Sequence, residues 1–243
     1  MKKILTGVLL SLCLSWTSAA LAEEVNISSD IGIYSQYLWR GQAQGAGVGT
    51  AGQASVQGDI YLDLNGIELG TWFATLGNPN SSTVEFDFSA IYSNNVSDGL
   101  NVSLGYLWYT FSNRGVAASA AASNTTEIFG ELAYEDYWSP SIAMYYDTKA
   151  NDWWFDFGLS GELMNDFVVD FTLSYQKFKL TAIQSPIAGG KSEFKAFDIS
   201  LKKDIEVNDI SVSPSFTMSM PMGERKNIAN QTIEFVFGVN FAY

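Results

Sequence analysis

The sequence predicts an all-β fold: an antiparallel up-and-down transmembrane β-barrel of about twelve strands, with ten or fourteen as the alternatives. Three observations lead there. The chain opens on an export signal, it carries period-two segments throughout, and its last segment alternates aromatic and small residues up to Tyr243.

The opening is the plainest element. Lys2 and Lys3 precede the apolar run Ile4 to Leu14, and Ala20-Leu21-Ala22 supplies a small-x-small cleavage site. Residues 1–22 therefore read as a signal peptide and 23–243 as one barrel domain. The run is too short for a comfortable membrane helix. Cys13 follows Leu12 rather than a small residue, which argues against lipoprotein processing.

Strand signals then recur in order. The first places Val25, Ile27, Ile31, Ile33, Tyr37 and Trp39 on one face and Asn26, Ser28, Asp30, Gln36 and Arg40 on the other. Further strands centre on Val56–Leu62, Ile67–Phe73, Val84–Ala90, Leu100–Trp108, Ile128–Tyr134, Ile142–Tyr146, Trp153–Leu159, Phe167–Tyr175, Phe197–Leu201, Ile210–Met218 and Ile233–Tyr243. Asn65-Gly66 marks a tight turn after the second. Pro214 lacks a ladder donor, so a bulge or a late strand start is expected there. Longer connections after odd strands alternate with short turns after even ones, as in bacterial barrels with long external loops. Trp39, Trp108, Tyr134, Trp153, Tyr175 and Tyr243 lie near strand ends on the apolar face and read as interfacial girdles. The low-charge stretch Ala117 to Ala122 reads as a loop tip.

Composition removes whole classes of chemistry. There is no histidine, so His-based acid–base catalysis, Ser-His triads and His-ligated metals are absent. Beyond residue 22 there is no cysteine. Removing Lys2 and Lys3 leaves 11 basic against 26 acidic residues, a formal charge of −15. That balance speaks against a nucleic-acid partner. No later segment is apolar enough for a membrane helix, and lipid then leaves a closed barrel as the only spanning solution. A soluble sandwich or lipocalin-like barrel shares the alternation but turns its apolar face inward.

Parity assigns the polar face to the lumen. The candidate pore-lining residues are Asp30, Arg40, Glu68, Glu85, Asp87, Glu127, Glu131, Asp152, Asp156, Asp170 and Asp198, with Lys202 as a further inward base. Arg40 has two readings: a member of a structural ion-pair network, or a solute-contacting constriction. The acidic pairs Glu85/Asp87, Glu127/Glu131, Asp152/Asp156 and Asp166/Asp170 suggest a glycosidase only weakly, because they are spread over many strands. No loop has EF-hand spacing, and neither a catalytic residue nor a cofactor or metal is expected.

The local motif Ser35-Gln36-Tyr37-Leu38-Trp39-Arg40-Gly41, with Gly70-Thr71-Trp72 and Glu85-Phe86-Asp87, resembles the TorF family of small proteobacterial outer-membrane porins. Trp39 stands where that family favours phenylalanine. The resemblance implies a barrel and a channel and names no solute. The expected function is passive diffusion of small polar solutes, cations or neutral molecules before anions. The alternative is a closed barrel with a structural or surface-interaction role, its lumen filled by inward side chains. Expected partners are outer-membrane lipid and lipopolysaccharide, the barrel-assembly machinery through the C-terminal strand, and the small solute itself.

Overall fold

A computed structural model describes residues 25–44, 53–76, 83–112, 124–177, 192–223 and 233–243. The expected signal peptide and the Ala117 to Ala122 stretch lie outside the described residues. Among these described residues fifteen strands are formed: β1 (Asn26–Tyr34), β2 (Leu38–Trp39), β3 (Gln42–Ala43), β4 (Ser55–Asp63), β5 (Ile67–Leu76), β6 (Thr83–Ser97), β7 (Leu100–Phe111), β8 (Thr125–Tyr134), β9 (Pro140–Asp147), β10 (Asp152–Glu162), β11 (Phe167–Lys177), β12 (Glu193–Lys203), β13 (Ile205–Val207), β14 (Ile210–Pro221) and β15 (Glu234–Ala242). A 3-10 turn, Met164–Asp166, lies between β10 and β11.

Twelve of these strands close into an antiparallel barrel in chain order, β1 meeting β15 and β12 meeting β14. Closure gives every wall strand two partners and removes exposed edges. The short pair β2–β3 stands apart from this wall, and β13 continues β12 along β14.

The faces are inverted relative to a soluble domain. The largest fully buried side chains are Glu127, Ser55, Ser174 and Ser219, whereas Ile33, Leu104, Phe88 and Phe237 are exposed. Adjacent outward rings reinforce one another, as in Phe88–Trp108 at 5.5 Å and Phe216–Phe237 at 5.1 Å between centroids. Such a surface is costly in water and suited to hydrocarbon, which decides against the lipocalin-like alternative. No helix among the described residues is long and apolar enough to cross a membrane.

Connections alternate in length. Short ones are 64–66, 98–99, 135–139, 163–166 and 208–209, and most of those on the opposite rim are longer, with 148–151 the brief exception. Asn65 and Gly66 both have positive φ, and Leu64 and Ile67 exchange backbone hydrogen bonds across them. That is the two-residue turn whose twist matches antiparallel strands.

Two local expectations need correction. At Pro214 the strand neither bulges nor starts late: β14 begins at Ile210 and its register with β15 runs unbroken through Pro214↔Val239. The proline acts instead on the other side. The β12–β14 ladder runs to Lys202↔Ser215 and the β13–β14 ladder resumes at Ile205↔Val212, leaving a gap opposite Ser213 and Pro214. A missing N–H interrupts the ladder there, and Ser213 Oγ donates to Asp204 Oδ1 at 2.6 Å in its place. Second, β1 ends at Tyr34, so Tyr37 and Trp39 are not on the outer face of the first strand. Trp39 packs edge-on against the buried Trp154 at 5.4 Å and is not a girdle residue. Trp108, Tyr134 and Tyr243 do stand exposed near the rims.

All five β1–β15 pairs, Asp30↔Ala242 to Tyr34↔Gly238, lie beyond Phe237. Truncation after Phe237 is therefore expected to abolish closure, seen as loss of the compact, heat-modifiable band on unboiled gels.

Candidate functional site

After Tyr34 the chain leaves the wall. Ser35 makes a last exchange with β15, its N–H donating to Phe237 O at 2.7 Å and its Oγ accepting from Phe237 N at 3.0 Å. Leu38 and Trp39 then pair with Ala43 and Gln42, and Gln44 N donates to Tyr37 O at 2.8 Å. The turn of this small hairpin is Arg40-Gly41, with φ of 46° and 71°. Two consecutive left-handed residues are what a type I′ hairpin turn requires. Glycine adopts that geometry freely, while arginine does so at a cost of about 1–3 kcal/mol.

The hairpin crosses the lumen. In the ring of twelve, β9 stands six places from β1, and Arg40 reaches the wall on and beside it. Its guanidinium forms a bidentate pair with Glu127 of β8, Nη1 to Oε1 at 2.8 Å and Nη2 to Oε2 at 2.9 Å. Its Nε lies 3.7 Å from Asp156 of β10. Its central carbon stands 4.3 Å from the Tyr145 ring centre, 4.6 Å from Trp39 and 5.0 Å from Trp154. Tyr109 of β7 donates its hydroxyl to Glu127 at 2.9 Å. To one side, Tyr37 packs on Trp72 of β5 at 5.2 Å. On the other, Gly41 lies so close to β12 that a Cβ would stand 2.2 Å from that of Ala196 and 3.1 Å from Ser219 Oγ. Gln36 Nε2 donates to Glu234 Oε2 on β15 at 3.0 Å. The hairpin thus touches walls on every side of the ring.

Electrostatics explain why the pairing is tight. The Glu127 side chain is 1% exposed and that of Arg40 8%. A carboxylate so withdrawn from water needs a full set of donors. A planar guanidinium supplies two of them in one geometry, and ring faces solvate its remaining surface.

Of the candidate residues, the structure brings Arg40, Glu127 and Asp156 together. Glu85 and Asp87 lie side by side on β6, and Glu85 is buried. The others are dispersed. Asp30 accepts from Asn240 Nδ2 at 2.7 Å and faces Asp59 in register. Asp152 accepts from Gln176 at 3.3 Å and Asp170 from Ser160 at 2.5 Å. Glu68 faces Asp63, Glu131 faces Ser103, and Asp198 faces Thr172 and Ser219 in register. Arg40 is placed in the lumen by its hairpin rather than by the end of a strand.

Sequence reasoning missed a second buried base. Lys195 is 3% exposed, and its Nζ stands 2.7 Å from Glu193 Oε1. The β11–β12 register shifts between Ser174 and Tyr175, leaving Lys195 as the extra residue. A bulge of this kind breaks the parity on which the reading relied. Tyr109, Tyr145 and Trp154 were missed as partners of the hairpin, though inward parity was the signal available for each.

The profile of a family described as "Bacterial protein of unknown function (Gcw_chp)" matches residues 18–185. A comparison with curated protein sequences gives no match. Among solved structures, one described as "KdgM porin" superposes with a TM-score of 0.58 at 11% identity, covering 89% of this chain and 98% of the other. Another, "NanC porin structure in rhombohedral crystal form", gives 0.54 at 12% identity and covers 90% and 99%. A third, "KdgM porin in complex with disordered oligogalacturonate", gives 0.53 at 10% identity and covers 90% and 98%. At these identities the likeness is one of fold: a closed antiparallel barrel of twelve strands.

Arg40→Ala would strand Glu127 in a buried position, a loss of about 3–5 kcal/mol for a broken buried pair. The expected outcome is a lower urea midpoint for the detergent-folded barrel, with Arg40→Ala/Glu127→Leu recovering most of it. Equal midpoints for wild type and Arg40→Ala would refute the assigned role.

Proposed function

The chain belongs to the Gcw_chp family of bacterial proteins of unknown function, and we propose that it is an outer-membrane porin-like channel with a lumen narrowed by the Arg40 hairpin. The observation that carries this reading is the inverted barrel, apolar outside and carboxylate-rich inside, with a polar hairpin docked across it. The superposition on porin barrels supports it at the level of fold. Passive diffusion of small polar solutes is the activity such a lumen serves. Asp30, Glu68, Glu85, Asp87, Glu131, Asp152, Asp170 and Asp198 form the rest of the proposed pore lining. The TorF likeness of Ser35 to Gly41 belongs to this proposal, as do the contacts with lipopolysaccharide and with the assembly machinery.

Selectivity follows from charge. Arg40 is held by Glu127 and Asp156, and Lys195 by Glu193. The buried bases are thus matched by acids, and the remaining inward carboxylates set the field. Carboxylates in a low-dielectric wall attract cations. One of the porin barrels that superpose on this chain holds oligogalacturonate, an acidic ligand. An acidic solute of that kind fits this lumen poorly, and we assign a preference for cationic and neutral solutes instead.

A second reading is favoured by the same hairpin. Because it touches opposite walls, a lumen closed outright would make the barrel a structural or surface-interaction protein.

Planar-bilayer recording separates the two. The channel reading expects discrete conductance steps and a cation-biased reversal potential under a salt gradient. Loosening the hairpin, by Gly41→Leu, is expected to raise the unit conductance. Silence from both proteins supports the closed barrel, and an anion-biased potential overturns the selectivity assigned here.

A further inference from the structure

We propose that Glu85 and Asp87, with the rings of Tyr37, Trp72 and Tyr109, form a binding site for an organic cation: a protonated amine or quaternary ammonium group. Residues two apart on a strand share a face, which puts both carboxylates on the inner side of β6. Glu85 is 4% exposed, yet among the described residues its Oε2 has no hydrogen-bond partner, and neither has Oδ1 of Asp87. Asp87 stands in register between Trp72 on β5 and Tyr109 on β7. Tyr37, brought in by the hairpin, packs on Trp72 at 5.2 Å. Among the described residues the two bases with buried side chains are engaged elsewhere, Arg40 by Glu127 and Asp156, Lys195 by Glu193.

The chemistry of the surroundings selects the ligand. A hard divalent cation takes six to eight oxygens, and no group of three acidic residues among the described residues is arranged to hold a metal. Here two carboxylates have Trp72 and Tyr109 as neighbours across the strands, and aromatic rings favour a weakly hydrated cation. Two strands along the wall, on β8, the same arrangement is already filled. There a guanidinium sits on a carboxylate and lies 4.3 Å from the ring of Tyr145. The Glu85–Asp87 side offers the same combination with the cation left to be supplied. A solute amine reaches it through the lumen, so the inference rests on the channel reading for access only.

Equilibrium binding to the detergent-folded barrel tests the site independently of conduction. Tetramethylammonium and n-butylammonium chloride are titrated at constant ionic strength, followed by tryptophan fluorescence and calorimetry. At least one is expected to bind saturably. Glu85→Gln/Asp87→Asn is expected to weaken binding at least tenfold, and Trp72→Leu at least threefold, in proteins that keep the heat-modifiable compact band. If the double variant does not fold, Trp72→Leu and competition by Mg²⁺ decide. No saturable binding of either amine, unchanged affinity in a folded variant, or displacement by Mg²⁺ more effective than by K⁺ would overturn the proposal. A barrel that binds amines but passes no current keeps the site and loses the channel; one that conducts without binding loses the site alone.

Discussion

The pair between Arg40 and Glu127 is the interaction on which the interior depends. A barrel that turns its aliphatic and aromatic side chains outward must place its polar ones inside, where they crowd a limited volume. Glu127 is the extreme case, fully buried on β8. Three donors satisfy it, two from Arg40 and one from Tyr109. Because Arg40 is the tip of a hairpin, the carboxylate's demand for donors also fixes where ten residues of chain lie. The wall and its contents are thus one electrostatic problem with one solution.

Much of the wall was legible in the sequence because its physics is repetitive. Ile31 and Ile33, or Phe235 and Phe237, announce a lipid-facing side by period alone, and the register follows once one face is assigned. The strand count and the alternation of long and short connections were readable for the same reason. The interior resisted. Tyr37 and Trp39 continue the parity of Ile31 and Ile33, so the pattern runs on into a segment that is no longer wall. Nothing in period two separates a strand from a short hairpin that shares its alternation. The Arg-Gly turn is also an unusual form of a turn more often made by Asn-Gly or Asp-Gly.

The candidate site shows the same division. Parity put Arg40, Glu127 and Asp156 inside, and they are inside together. Parity has no power over which inward groups meet, because that depends on position around the ring. Glu127 and Asp156 belong to strands separated only by β9, whereas Asp30 and Asp170 have their own neighbours. Lys195 fails for another reason: one bulged residue shifts the alternation locally, and the sequence around Phe194 and Ala196 carries no mark of it. Pro214 was a correct alarm with the wrong consequence, since the missing donor faces β12 and β13 and leaves β15 undisturbed.

The hairpin also sets an order of events. It follows the first strand, yet Arg40 contacts a residue 87 positions later and Gln36 one 198 positions later. Contacts of such separation form only after the intervening chain is in place. The Gln36 contact needs β15 in place, as does the closure of β1 on β15, so the hairpin is fully seated no earlier than the barrel closes. The last contacts of the interior are then encoded almost at the start of the folded chain.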